Sequence, residues 1–326
     1  MRHIDNDRPV VVLTGASSGI GRATAQLLGE RGADLVLVAR DSRTLRPVAD
    51  ECRARGAHVL VMPTDVADPA AVAALGQAII DRFGRIDVWI NNVGVGAVGA
   101  FDEVPLALHR RVIESNLIGH MNGAHVALKH FRDRRRGTLI NMISLGGWVP
   151  APYAAAYTAS KFGLRGFTEA LRAEMSGFAD VHVCAVSPTF VDTPGVGHGA
   201  NRVGRRLRPP SPMLDPREVA EAIVSLIDSP RPTVMVGAVA APARLAHALA
   251  PELTGRVGRW AMDRALDRAQ PADYSDGNLF EPSSDTSIDG GYRQRGSATK
   301  AVAALGAVVA LGMLLSRVVR PAPRRD

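Results

Sequence analysis

Val10-Val11-Val12-Leu13-Thr14-Gly15-Ala16-Ser17-Ser18-Gly19-Ile20-Gly21 is the stretch whose reading decides the fold. An unbroken apolar run ending at Thr14 reads as a strand buried on both faces. Three glycines follow within seven residues, and Ile20–Arg31 then has helical spacing. Glycines in that place permit a tight turn, a close backbone approach to a pyrophosphate, and close packing of helix on sheet. The helix start adds unpaired N–H groups and the positive end of a dipole. A glycine trio alone is a weak motif; set between a strand and a helix it predicts a nucleotide-binding turn.

Working outward, the pattern repeats. Leu35–Ala39, His58–Met62, Ile86–Asn91, Thr138–Ile143 and Val181–Val186 read as further strands, separated by helices at Thr44–Arg55, Pro69–Phe83 and Pro105–Arg134. Asp215–Ile227 reads as a helix and Thr233–Val236 as a last strand. This alternation predicts an α/β fold, a doubly wound parallel sheet of Rossmann-like type with extra C-terminal helices. The expected organisation is a catalytic domain over 1–237, a helical and loop extension over 238–297, and an apolar helix with a basic tail over 298–326. Within the extension, Ala238–Ala269 reads as helix broken at Pro242 and Pro251, and Pro271–Gly296 as a wrapping loop.

Of the 326 residues 46% are hydrophobic and 22% charged, which excludes a disordered chain. The net charge of +7 comes from the end of the chain: residues from Arg293 onward carry +6, leaving +1 on residues 1–292. The clusters Arg132/Arg134/Arg135/Arg136 and Arg202/Arg205/Arg206/Arg208 read as solvated helix-end and loop charge. With aromatics at 5%, no nucleic-acid face is expected. Cys52 and Cys184 read as buried thiols in a reducing compartment, and no metal site is expected. Met1–Arg8 is polar and Val10–Leu13 is too short for a signal sequence, so a cytoplasmic catalytic domain is expected.

The end of the second strand bears on cofactor choice. An acid there would bind a ribose 2′-OH; Ala39 stands in its place, followed by Arg40, whose guanidinium suits a 2′-phosphate. NADP(H) is therefore expected over NAD(H), with Asp41 as a ribose ligand if the register moves by one. Asn91-Asn92-Val93-Gly94 closes the fourth strand at the carboxyl edge. Ser144 follows the fifth strand, and Tyr157 and Lys161 stand at i, i+4 on a helix. A phenol ionises near 10. A nearby ammonium, together with nicotinamide's positive charge, would move Tyr157 toward general-base range.

Together, Thr14–Gly21, Asn91–Gly94, Asn116, Ser144, Tyr157 and Lys161 resemble the short-chain dehydrogenase/reductase family in its compact single-domain branch. The likeness runs over about residues 9–237. It implies Tyr157 as acid/base, Lys161 as its tuner and ribose ligand, Ser144 on the substrate oxygen, and Asn116 holding a relay water. It also implies cofactor contacts from Gly15, Ser17, Ser18, Gly19, Ile20, Gly21, Asn92 and Gly94. Asp65 and Val66 would lie beside the adenine; Pro188, Thr189, Val191 and Thr193 would meet the carboxamide. Val93 departs from the family's alanine. The activity implied is NADP(H)-dependent interconversion of a carbonyl compound and an alcohol, by a homo-oligomer. A cofactor-binding sensor or scaffold without turnover is an alternative, as is an epimerase or dehydratase using the same triad.

Substrate selection is expected from the Thr193–Leu214 loop, with Trp148 and Tyr153, and His198 reads as an exposed loop residue. Asn278–Pro282 followed by Gly290-Gly291-Tyr292 resembles C-terminal extensions of longer bacterial members. Ala301–Ser316 is sixteen uncharged residues. As helix it would span about 24 Å, short of a ~30 Å hydrocarbon core. A single span, a surface anchor on anionic lipid and a packed helix stay open, with membrane association the expectation.

Overall fold

A computed structural model describes residues 8–293. The chain runs β1 (Val10–Thr14), α1 (Gly19–Glu30), β2 (Asp34–Ala39), α2 (Ser42–Ala54), β3 (His58–Pro63), α3 (Pro69–Phe83) and β4 (Val88–Asn91). A two-residue β5 (Ala97–Val98) precedes α4 (Leu106–Ile113), which passes through a π turn, Glu114–Ile118, into α5 (Gly119–Arg134). Then come β6 (Arg136–Met142), α6 (Ala155–Glu174), β7 (Asp180–Pro188), the short α7 (Gly195–His198) and β8 (Ala200–Asn201). The chain continues with α8 (Pro216–Asp228), β9 (Thr233–Val236), α9 (Ala240–Leu249) and α10 (Pro251–Asp267).

Seven strands form one parallel sheet in the order β3-β2-β1-β4-β6-β7-β9. The order reverses between β1 and β4, so a crevice opens there at the carboxyl edge, where such sheets take ligands. Alternation along β1 sends Val11 and Leu13 to one face, against Leu28 of α1, Leu45 of α2 and Ile223 of α8. Val10 and Val12 point to the other, against Leu75 and Ile79 of α3 and Phe131 of α5. Each such buried side chain contributes roughly 1.5–3 kcal/mol.

Local chemistry sets the helix ends. Asp68 caps α3 through the Ala70 and Ala71 amides, with Pro69 in its first turn, and Gly84 ends it at φ +76°. Asp215 and Glu218 form a reciprocal capping box on α8.

Two expectations change, and one element is new. The helix read over Pro105–Arg134 is interrupted by the π turn, which an uninterrupted apolar period does not reveal. Pro251 does separate α9 from α10, but Pro242 lies in the first turn of α9, where its missing N–H costs no helical bond. β5 and β8 pair as a separate parallel ribbon that their two-residue length concealed. Cys52 and Cys184 are free and buried, as expected. Among the described residues, no helix is long and apolar enough to cross a membrane. The expectations for Ala301–Ser316 and the basic tail lie outside the described residues.

Candidate active site

The glycine turn is built by backbone geometry. Gly15 and Gly19 hold φ +65° and +53°, which side chains rarely adopt. A Cβ on Gly21 would stand 1.9 Å from the Gly15 carbonyl oxygen, so only glycine lets α1 start so close to β1. Thr14 Oγ1 donates to the Ile90 carbonyl at 3.2 Å and accepts from the Asn92 amide at 3.0 Å. Asn92 Nδ2 donates to the Thr14 and Gly15 carbonyls, at 3.1 and 3.2 Å. Asn92, expected at the cofactor, thus also braces the turn that would hold it. Ser18 caps α1 in extended conformation without a side-chain bond, and the first turn holds no acid. Ser17 and Ile20 flank it. The Gly19 amide donates to the Ser287 carbonyl at 2.9 Å.

Arg40 follows β2 at the carboxyl edge, as expected. Its guanidinium donates to the carbonyls of Leu279 (2.9 Å), Phe280 (3.1 Å), Asn278 and Glu281, all from the C-terminal extension. Asp41 instead caps α2, accepting from the Arg43 amide at 2.8 Å. The Arg43 side chain, then its backbone, hold the Asp41 carboxyl below the usual range. Asp65 accepts from the Ala67 amide at 3.0 Å and from Arg111. Val66 is buried where a Cβ on Gly119 would press on it.

The groups expected to react lie on the other side of the crevice. Ser144 stands just past β6 with φ +148° and ψ 163°, a region that side chains rarely occupy and that often marks functional positions. Its Oγ accepts from the Gly146 amide at 3.1 Å, and its hydroxyl reaches the Tyr157 phenol. One turn along α6, Lys161 Nζ lies 6.0 Å from the Tyr157 ring centre and donates to the Met142 carbonyl at 2.9 Å. Burial pushes Lys161 down to about 7. Burial also pushes the Tyr157 phenol above its ordinary value, against the smaller opposing effect of Ser144. The sequence reading expects an ammonium to pull the phenol down; here desolvation dominates, and the opposing effect comes from Ser144. A Cβ at Gly94 would stand 3.9 Å from Lys161 Nζ, which brings the Asn-Asn-Val-Gly loop onto the same centre.

Asn116 is fully buried in the π turn, a feature frequent at functional sites. Its side chain accepts from the Val95 amide at 2.8 Å. It donates to the Val95 carbonyl at 2.8 Å and to Ser160 Oγ at 3.1 Å. The loop after β4 is thereby tied to α6 beside Lys161. Sequence reasoning missed His120, buried four residues further on, whose Nε2 lies 2.9 Å from the Val93 carbonyl. Burial, then the Lys161 charge, push His120 down to about 3, so it is neutral. Its spacing from Asn116 was the available signal.

The segment after β7 completes the ring. Pro188 ends the strand, and the Thr189 amide donates to the Val236 carbonyl at 3.0 Å. Val191 bridges Leu214. Thr193 crosses to the α1 start, its Cβ 3.2 Å from where one on Gly19 would be. Near the substrate side one expectation changes, that of an exposed His198, while Trp148 and Tyr153 are fixed in place. Trp148 donates to Ser187 Oγ at 3.2 Å and lies between the guanidinium carbons of Arg165 and Arg244, at 4.4 and 4.5 Å. Tyr153 donates to Asp263 of α10 at 2.5 Å. Both aromatics are therefore held by neighbouring helices. His198 is mostly covered, its Nε2 3.2 Å from Ser283 Oγ and 3.3 Å from Asp285 Oδ2. An open cleft of about 830 Å³, lined by Arg85, Asp87, Arg134 and Asp180 among others, lies at the strands' amino ends, away from all these groups.

A family model for short chain dehydrogenases matches residues 9–201. The chain belongs to that family of oxidoreductases, with the seven-stranded Rossmann-like sheet its members share. It is 33% identical over 267 residues to the uncharacterized oxidoreductase YxnA of Bacillus subtilis, covering 81% of this chain and 74% of that one. A metagenomic short-chain oxidoreductase in complex with NADP superposes with TM-score 0.61 at 32% identity, covering 70% of this chain and 96% of that one. A single-residue variant of actinorhodin polyketide ketoreductase with NADPH superposes at TM-score 0.65 and 31% identity, covering 72% and 97%. Several curated relatives are matched over only 54–58% of their own length.

Proposed function

We propose that this chain is an NADP(H)-dependent oxidoreductase that interconverts a carbonyl compound and an alcohol. The observation that carries the reading is the convergence of Ser144, Tyr157 and Lys161 with the glycine turn on one carboxyl-edge crevice. The residues present fit the cofactor: a turn that admits no Cβ at Gly21, a helix start without acid, and Ala39 in place of an acid with Arg40 next to it. The relatives with NADP and NADPH support the same choice.

When bound, the nicotinamide supplies or accepts the hydride. Ser144 donates to the substrate oxygen and holds it beside the phenol. A phenol pushed up by burial stays protonated near neutrality, which suits Tyr157 to give its proton to the oxygen as the carbonyl is reduced. Lys161, anchored on Met142, would hold the ribose, and with a water at Asn116 it would return a proton to Tyr157. His120 and Asn116 keep the Val93–Val95 loop in place.

The test is fluorescence titration of the full chain and Arg40→Ala with NADPH and NADH. The native chain should prefer NADPH. The ratio of NADPH to NADH affinity should fall about 10–100-fold in the variant, as for loss of a charge-assisted pair. An unchanged ratio, or tighter NADH binding by the native chain, contradicts the cofactor assignment.

A further inference from the structure

Two donors expected at the dinucleotide, the Arg40 guanidinium and the Gly19 amide, already have partners, and those partners come from one segment. Carbonyls of residues 278–281 surround the Arg40 guanidinium, with those of Leu279 and Phe280 at 2.9 and 3.1 Å. Further along, the Ser287 carbonyl accepts from Gly19 at 2.9 Å, and Thr286 accepts from Arg22 of α1. Arg111, which holds Asp65, also donates to the Leu279 carbonyl at 2.9 Å. The segment therefore presents carbonyl oxygens, which are acceptors, at the places where a 2′-phosphate and a pyrophosphate would present theirs. Two sets of acceptors cannot share the same N–H groups, and phosphate oxygens beside carbonyl oxygens repel.

The segment is held at both ends. Leu279 is fully buried among Leu108, Val112, Ala156 and Ala200. At the far end Asp289 pairs with Arg217 at 2.9 Å, and the Tyr292 amide donates to Asp192 at 2.8 Å. Between these anchors the carbonyls of Phe280, Glu281, Thr286 and Ser287 accept from Arg40, Arg22 and the Gly19 amide, and Ser283 and Asp285 meet His198, so its contacts are polar. Such contacts can be exchanged for phosphate without leaving apolar surface exposed.

We propose that residues 278–290 form an intramolecular strap that competes with the dinucleotide for Arg40 and the start of α1. Cofactor then binds only the molecules from which the strap has lifted. This rests on the NADP(H) reading above. Apparent affinity is the intrinsic affinity reduced by the fraction of lifted molecules, so weakening an anchor tightens cofactor binding.

The experiment uses the full chain, Leu279→Asp and Gly290→Val. The first puts a charge into the apolar anchor. The second places side-chain atoms where a Cβ would already stand 2.5 Å from the Thr193 carbonyl oxygen. Each is titrated with NADPH and with adenosine 2′,5′-bisphosphate, and amide hydrogen exchange over 278–290 is followed with and without NADPH. Both variants should bind both probes more tightly, by about 10-fold or more. In the native chain, NADPH should speed exchange across the strap. Equal or weaker binding by the variants, or slower strap exchange with NADPH, would mean that the segment clasps the cofactor or ignores it, and overturns the strap. Absence of binding by all three proteins overturns the dinucleotide reading and the strap with it.

Discussion

Tyr157→Phe is expected to lower carbonyl reduction about 10²–10⁴-fold, the span for loss of a positioned general acid, while NADPH affinity stays as in the native chain. The ring packs against the apolar cluster that includes Ala97, Val112 and Ala156, and phenylalanine keeps that volume. What it removes is the phenol hydroxyl, the group proposed to give its proton to the substrate oxygen. Steady-state rates together with NADPH titration separate the readings. Lost turnover with intact binding is the enzyme's signature. Undiminished turnover would remove Tyr157 from the chemistry, and a cellular role surviving the change would favour a cofactor-binding scaffold.

Gly21→Ala is the second large effect. A Cβ there meets the Gly15 carbonyl oxygen at 1.9 Å and Asn92 Nδ2 at 2.8 Å, and the first of these is backbone, so β1 and α1 must separate. Overpacking of this kind costs about 3 kcal/mol or more. At 2–4 °C per kcal/mol this lowers Tm by roughly 6–12 °C. The same movement spoils the nucleotide turn, so NADPH binding should be lost below the new Tm as well. Gly166→Ala is the control: this position in α6 has open space at its Cβ and ordinary φ, and the change should be neutral or raise stability by about 0.5–1 kcal/mol. Native Tm and native binding in Gly21→Ala would show that the close contact does not exist.

The main sheet was legible because its signals are local. Apolar runs, glycine positions and cap residues such as Asp215 act within a few residues, and strand ends fell within two positions of those observed. The Tyr157/Lys161 pair and Ser144 were legible for the same reason, since i, i+4 spacing fixes a helix face. What was not legible depends on groups far apart in sequence. Arg40 meets carbonyls some 240 residues away, and no local pattern announces that a loop rich in Ser, Asp and Gly returns to the first helix. The π turn at Asn116 leaves the apolar period intact, because its effect is a displacement of backbone and not a change of residue type. The raised Tyr157 phenol follows from burial, a property of the assembled site, whereas reading its neighbours alone points in the opposite direction.

Hydride transfer between NADP(H) and a carbonyl carbon is tested most directly by incubating the full chain with NADPH deuterated at both nicotinamide C4 positions and a panel of aldehydes and ketones, then analysing the products by mass spectrometry. An alcohol carrying one deuterium on its carbinol carbon, formed together with NADP⁺ and absent with Tyr157→Phe, is the predicted result. Bound NADPH with no labelled alcohol from any member of the panel would contradict it.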